Sequence, residues 1–275
     1  MSAAQVDKAE RFLRLHRPGT PLLMPNAWDL GSAAVLAWLG FEALATTSSG
    51  HAATLGRLDG GVTRDEALAH ATELCAGSEV PISADLENAF ADAPDGVAET
   101  IGAAKATGLA GCSVEDYSGR ESDPIYELGL ARERVVAAAE TAHSGPVRMV
   151  LTVRAENFIR GRTDLADTIA RLQAYQEAGA DVLFAPGLKS ARDIRHLVES
   201  VDRPVNVLAV ARVPSTAELA ALGVARVSVG GAFAFAALGA LREAAEELRD
   251  RGTYGYLERT AAGVQAARAA FTRPG

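Results

Sequence analysis

The sequence predicts an α/β protein of the (β/α)₈, or TIM, barrel class with an extra C-terminal helix, and three observations carry that prediction. Eight short β-type runs recur along the chain, each followed by a polar or glycine-containing turn and a longer Ala/Leu/Glu/Arg segment of helical periodicity. The runs are mostly apolar rather than alternating, as expected of parallel strands covered on both faces. The length of 275 residues also matches the ~250 that such a barrel occupies as one unit, which favours a closed barrel over an open doubly wound sheet. No linker rich in Pro, Ser or charge divides the chain, so 1–275 reads as a single domain.

In order, a charged helical segment at 2–17 precedes the first run. The runs then fall at 21–24, 43–47, 81–85, 111–115, 149–154, 182–185, 205–208 and 226–229. Helical segments lie between them at 63–75, 97–106, 130–142, 165–177, 191–199 and 216–222. Thr63 before Glu66 has the spacing of a capping box, and Thr216 with Glu218 marks another helix start. The phrases at 39–42, 178–181 and 222–225 carry the glycines Gly40, Gly179 and Gly223, which read as helix C-caps leading into the next strand. Two further helices, 233–251 and 254–270, follow the eighth run, one more than a minimal barrel needs.

Composition narrows the partners. A 48% hydrophobic and 23% charged chain is ordinary for a globular protein with a large core. A net charge of −8, from 27 basic against 35 acidic residues, leaves no positive excess for a phosphate backbone, so no nucleic-acid partner is expected. Cys75 and Cys112 form neither a disulfide framework nor a zinc spacing. Segment 2–17 lacks the apolar stretch of a secretory signal, and the most apolar stretch, 227–241, is interrupted by three glycines and is shorter than the roughly 18 residues a membrane helix needs. A cytoplasmic protein with no membrane partner is the expectation.

In barrels of this class the chemistry sits at the C-terminal ends of the strands. Those positions carry Asn26, Trp28 and Asp29; Thr47, Ser48, Ser49, Gly50, His51 and Asp59; Asp85, Glu87 and Asn88; Glu115, Asp116 and Tyr117; Arg154, Glu156 and Asn157; and Asn206. Three neighbouring strands deliver carboxylates to one mouth, and like charges cluster only where a cation or proton joins them. Oxygen-only donors without Cys or a His pair favour Mg²⁺, or Mn²⁺. The other reading is that Asp85, Glu87 and Glu115 are rim carboxylates paired with arginines such as Arg154. The segment 46–50 offers hydroxyls and closely spaced N–H groups for a carboxylate or enolate oxygen, or is a plain Ser/Gly turn. Arg154 either grips a substrate carboxylate or neutralises the acidic cluster, and the two roles are compatible. His51 is a candidate general acid or base or a solvated loop histidine, and Trp28 reads as core or site wall.

These residues resemble the isocitrate lyase and phosphoenolpyruvate mutase superfamily across nearly the whole chain. The stretches PNAWDLGSA, ATTSSGHAATLGRLDGG, PISADLEN, GCSVEDYSG, VRAENF, AGADVLFAPG and PVNVLA occur in the family's order. The resemblance implies a barrel that binds Mg²⁺ through Asp85, with Glu87 and Glu115 contributing directly or through water and Asp59 lining the same pocket. It implies that Thr47, Ser48 and Ser49 bind the carboxylate and oxo group of a small anionic substrate and that Arg154 binds substrate. The chemistry implied is an enolate of a pyruvate-like unit formed while a C–C or P–C bond breaks or forms. The last helix resembles the family's swapped helix, implying a homodimer or homotetramer. The loop after the fourth run, 117–124, holds neither the Lys-x-Cys-Gly-His motif of the isocitrate lyases nor the Lys, Asn and Ser of the phosphonomutases. Asn88-Ala89-Phe90 replaces the family's Gly-Tyr-Gly.

The expected function is therefore a Mg²⁺-dependent lyase or decarboxylase of a small 2-oxo or 2-hydroxy acid, with Arg120, Tyr117 or His51 handling protonation. Phosphonopyruvate-type mutase or hydrolase chemistry is one alternative, and a non-catalytic metabolite-binding homologue is another.

Overall fold

A computed structural model describes residues 2–272, so the two ends of the expected 1–275 domain lie outside the described residues. Helix α1 (Ala3–Arg14) leads into β1 (Leu22–Met24), α2 (Leu30–Trp38), β2 (Leu44–Ala45), α3 (Ser48–Thr54) and α4 (Arg64–Gly77). Then come β3 (Ile82–Asp85), α5 (Pro94–Ala106), β4 (Gly111–Glu115), α6 (Leu128–His143), β5 (Val150–Arg154) and α7 (Leu165–Glu177). The chain ends with β6 (Val182–Phe184), α8 (Ala191–Glu199), β7 (Val205–Leu208), α9 (Thr216–Ala221), β8 (Arg226–Ser228), α10 (Ala232–Arg251) and α11 (Leu257–Phe271).

All eight strands pair in parallel in the order β1-β8-β7-β6-β5-β4-β3-β2. The remaining seam closes just beyond β1, where Ala27 N–H donates to Ala45 O at 2.7 Å and Ala45 N–H to Pro25 O at 3.0 Å. Asn26 fastens this seam with its side chain. Its Nδ2 donates to Thr46 O (2.6 Å), and its Oδ1 accepts from Val229 N (3.0 Å) and Gly230 N (2.8 Å), so three strand ends are tied at one point.

The apolar runs are buried as predicted, because helices cover the outside and side chains fill the inside. Leu44, Leu74, Ile101, Leu151 and Leu172 are fully buried, each worth about 1.5–3 kcal/mol relative to exposure. Helix α1 covers the N-terminal ends of the strands: the Phe12 ring sits where a Cβ at Gly111 would be, and Gln5 Nε2 donates to Lys105 O and Leu109 O. The C-cap glycines behave as read, with φ of 90°, 109° and 83° at Gly40, Gly179 and Gly223.

Two boundaries differ from expectation for local reasons. The second run stops at Ala45 because Thr47 caps the short helix α3, its Oγ1 accepting from Gly50 N at 3.3 Å. Helix α9 is capped by Ser215 rather than Thr216, and Ser215 and Glu218 form a capping box. Helix α11 packs on α2 of its own chain, with Phe271 beside Gly31. Phe235, Leu238 and Leu241 on α10, with Leu257 and Val264 on α11, are exposed. Among the described residues no helix is long and apolar enough to cross a membrane.

Candidate active site

At the C-terminal end of β3 the Asp85 carboxylate is held from two sides. Oδ2 accepts from Ser48 N at the start of α3 (3.3 Å), and Oδ1 accepts from Arg154 Nη1 (3.1 Å). Thr46 Oγ1 accepts from Asp85 N at 2.9 Å and locks the backbone beneath. The chain then turns sharply, placing three non-glycine residues in left-handed conformations: Glu87 (φ 50°), Ala89 (60°) and Phe90 (56°). Each such residue costs roughly 1–2 kcal/mol, so the loop needs an external clamp. Arg134 provides it from α6, donating to Asn88 O (2.6 Å), Asp92 O (2.8 Å) and Ala91 O while lying over the Tyr126 ring. Of the two glycine positions in the family's Gly-Tyr-Gly, Phe90 keeps a left-handed conformation without glycine and Asn88 does not.

Arg154, at the end of β5, faces three carboxylates. Its guanidinium lies 3.1 Å from Asp85, 3.1 Å from Glu115 and 2.8 Å from Glu156. Burial lowers its pKa, but the charges of Glu115, Glu156 and Asp85 together outweigh burial and hold it above the usual value. Glu115 is pushed upward chiefly by its own burial, against the pull of Arg154. Glu87 is pushed up to about 7 by burial and by the neighbouring Asp85 and Asp59, with Arg154 and Arg160 opposing. Five acids therefore share the mouth with two arginines, Arg154 and Arg160.

Two connected cavities hold this constellation. The outer one, about 470 Å³, is lined by Glu87, Asn88, Glu115, Tyr117 and Arg160. The inner one, about 190 Å³, runs down the barrel past Thr47, Ser49, Asp85, Phe184, Asn206 and Leu208 to Arg226 and Ser228. Ser48, Asp59 and Arg154 line both and mark the junction. Asp59, Asp85 and Glu87 line these cavities with carboxylates, the donor type that a hard divalent cation takes. Among the described residues no three His, Cys, Asp or Glu side chains converge tightly enough to enclose a metal by themselves. Such a cation would keep much of its water, as Mg²⁺ commonly does.

Four of the expected site residues stand apart from the cavities. His51 stacks on His70 with ring centroids 3.8 Å apart, because α3 turns that face away from the barrel. Trp28 lies behind α3, where its backbone carbonyl accepts from His70. Gly50 is a packing glycine: a Cβ there would strike Thr47, Trp28 and Ala234. Arg120 sits on the exposed loop after β4 and pairs with Asp92 at 3.1 Å. Asp116 is structural, held by Tyr175 Oη (2.6 Å) and Arg171 (3.3 Å).

Arg160 and Arg226 escaped the sequence reading. Arg160 lies six residues beyond β5 yet folds back over the Tyr117 ring at 3.4 Å. Arg226 stands at the start of its strand, where only strand ends were sought. Its signal was a charged residue opening an otherwise apolar run.

An uncharacterized protein of Mycobacterium tuberculosis is 33% identical over 241 residues, covering 87% of this chain and 89% of its own. A 2-methylisocitrate lyase of Halalkalibacterium halodurans is 27% identical over 212 residues, 74% of this chain and 67% of its own. A Burkholderia cenocepacia crystal structure, provisionally described as a lyase or mutase, superposes with TM-score 0.95 at 48% identity, covering 99% of this chain and 98% of that one. The phosphoenolpyruvate phosphomutase family model matches residues 12–249. The chain therefore belongs to the phosphoenolpyruvate phosphomutase family, within the isocitrate lyase/PEP mutase superfamily.

Proposed function

We propose that this protein is a divalent-metal-dependent carbon–carbon lyase or decarboxylase acting on a small 2-oxo or 2-hydroxy carboxylic acid through an enolate-like intermediate. The observation that supports it most is the crowding of carboxylates at Asp85, Glu87 and Asp59, where burial and then the charges of Asp85 and Asp59 push Glu87 up to about 7. Mg²⁺, or Mn²⁺ in its place, fits that donor set, with Asp85 as anchor and Glu87 and Asp59 reached through water. When bound, the cation supplies Lewis-acid stabilisation of the enolate oxygen.

The chain's own groups do the rest. Ser48 N–H and Arg154 keep the Asp85 carboxylate in one orientation, so the anchor is pre-set before substrate arrives. Thr47, Ser48 and Ser49 offer hydroxyl and amide hydrogens to a carboxylate entering the junction, and Arg154, which lines both cavities, meets the same group. Phe184 and Leu208 form an apolar wall that limits water near the reacting carbon. Tyr117 is the one proposed proton donor that lines a cavity, since Arg120 and His51 do not. The similarity to a 2-methylisocitrate lyase supports C–C cleavage, while the phosphoenolpyruvate phosphomutase family match keeps P–C chemistry as the alternative. The exposed apolar residues of α10 and α11 support a homodimer or homotetramer; a cytoplasmic location is part of the same proposal.

Purified protein incubated with Mg²⁺ and a panel of 2-oxo and 2-hydroxy acids tests the proposal through coupled detection of pyruvate. Release that stops on chelation and falls about 100-fold or more in D85N is expected. No release from any acid, with turnover of phosphonopyruvate seen by phosphorus NMR, would move the activity to P–C chemistry. No turnover in either assay would leave a metabolite-binding protein.

A further inference from the structure

The floor of the inner cavity carries a feature that the mouth chemistry does not use. Arg226 is 2% exposed, deeper than Arg154. Its Nε donates to Asn206 Oδ1 at 2.9 Å. Its Nη1 donates to Nε2 of His16 at 3.1 Å, the tautomer being set by His16 Nδ1, which donates to Phe12 O at 2.8 Å. No carboxylate pairs with Arg226 among the described residues, and Nη2 has no protein partner there. Burial alone pulls its pKa down to about 9, with no acidic neighbour to restore it. A neutral His and a neutral amide orient the guanidinium but leave its charge unbalanced.

The surroundings are those of a polar pocket rather than a packed core. Asn206, Ser228, Ser83 and Ser113 line the same cavity, and Asn206 Nδ2 donates to Ser228 Oγ at 3.0 Å. Thr152, on the inward face of β5 one step below Arg154 and in register with Ser113, has a fully buried hydroxyl with no partner. The volume of about 190 Å³ corresponds to roughly six waters at ~30 Å³ each, which suits a small acid and not a phosphorylated sugar.

We propose that Arg226, with Asn206 and Ser228, forms a carboxylate subsite at the floor of the barrel, so that the substrate is a dicarboxylate whose distal acid points down toward β8. This rests on the proposed reading of the mouth, where the proximal carboxylate and the oxo or hydroxy group are held. A planar guanidinium with an open edge matches a carboxylate better than a neutral group, and the low-dielectric floor strengthens the pairing.

The test titrates the Mg²⁺-loaded protein by calorimetry with oxalate, which reports on the mouth alone, and with malate, which carries a distal carboxylate that lactate lacks. Wild type should bind malate more tightly than lactate. R226M should weaken malate about ten-fold or more and leave oxalate and lactate within about two-fold. R226K, which keeps the charge but not the fork, should fall between them and serves if R226M does not fold. Malate binding that is absent or unaffected in the variants, beside intact oxalate binding, overturns the subsite and leaves the mouth reading standing. Arg226-dependent malate binding without oxalate binding supports the subsite and overturns the mouth reading. Binding of neither overturns both, and equal loss of oxalate and malate in correctly folded variants overturns the separate distal subsite.

Discussion

Two buried arginines face the axis of this barrel, and their surroundings are opposites. Arg154 at the mouth touches Asp85, Glu115 and Glu156, and they hold it firmly charged. Arg226 at the floor touches Asn206 and His16, and burial pulls it down to about 9. A buried guanidinium needs a counter-charge. At the mouth the protein supplies more than enough, and the surplus calls for a cation; at the floor it supplies none, and the deficit calls for an anion. In the proposed reading, this asymmetry seats a small dicarboxylate between a cation at the mouth and Arg226 at the floor.

The contrast predicts unequal responses to the same substitution. R154M should be the more damaging, because it strands three carboxylates in a buried site. A loss of about 3–5 kcal/mol in denaturant-derived stability is expected for the metal-free protein. Stability similar to wild type would show that the carboxylates had simply protonated and that Arg154 is not their counter-charge.

The floor also makes a pH prediction. Burial, helped by the charge of Arg226, lowers His16 to about 3. Between pH 3 and about 6.5 the unfolded chain carries a proton at this residue that the folded chain does not, so stability rises with pH across that window and levels above it. H16Q removes this dependence. At pH 5 the difference in slope should amount to about 2 kcal/mol relative to pH 7, measured by urea unfolding at both values. Parallel profiles for wild type and H16Q would show that His16 titrates alike in the folded and unfolded chain and is not the buried neutral partner of Arg226.

The smallest effect should come from R226M itself. Removing a buried charge that has no acidic partner offsets the loss of the bonds to Asn206 and His16, so stability should stay within about 1 kcal/mol of wild type. A loss as large as that of R154M would make Arg226 a structural strut and erase the contrast between the two ends.

Much of this arrangement was legible beforehand, for physical reasons that also mark where legibility ended. Parallel strands buried on both faces write themselves as apolar runs, which is why all eight were found and why Asp85, Glu115 and Arg154 stood out at their ends. Thr47 was read as strand because β-branched residues favour extended backbone, whereas its hydroxyl caps α3. His51 shares α3 with the cavity residues Ser48 and Ser49, but the helical phase sends it to the far side, and sequence adjacency carries no such phase. Trp28, two residues beyond Asn26, is held behind α3 by its contact with His70. The left-handed loop at Glu87, Ala89 and Phe90 was hidden because its clamp, Arg134, lies 46 residues from Asn88. Arg226 was overlooked because attention to strand ends hides an interior floor.

The central claim is that the acidic mouth takes a divalent cation and, through it, a small oxo-acid. Calorimetric titration of oxalate into metal-free and Mg²⁺-loaded protein tests it most directly. Oxalate should bind only with Mg²⁺ present and lose that binding in D85N. Equal affinity with and without metal, or binding that D85N leaves unchanged, would contradict the account.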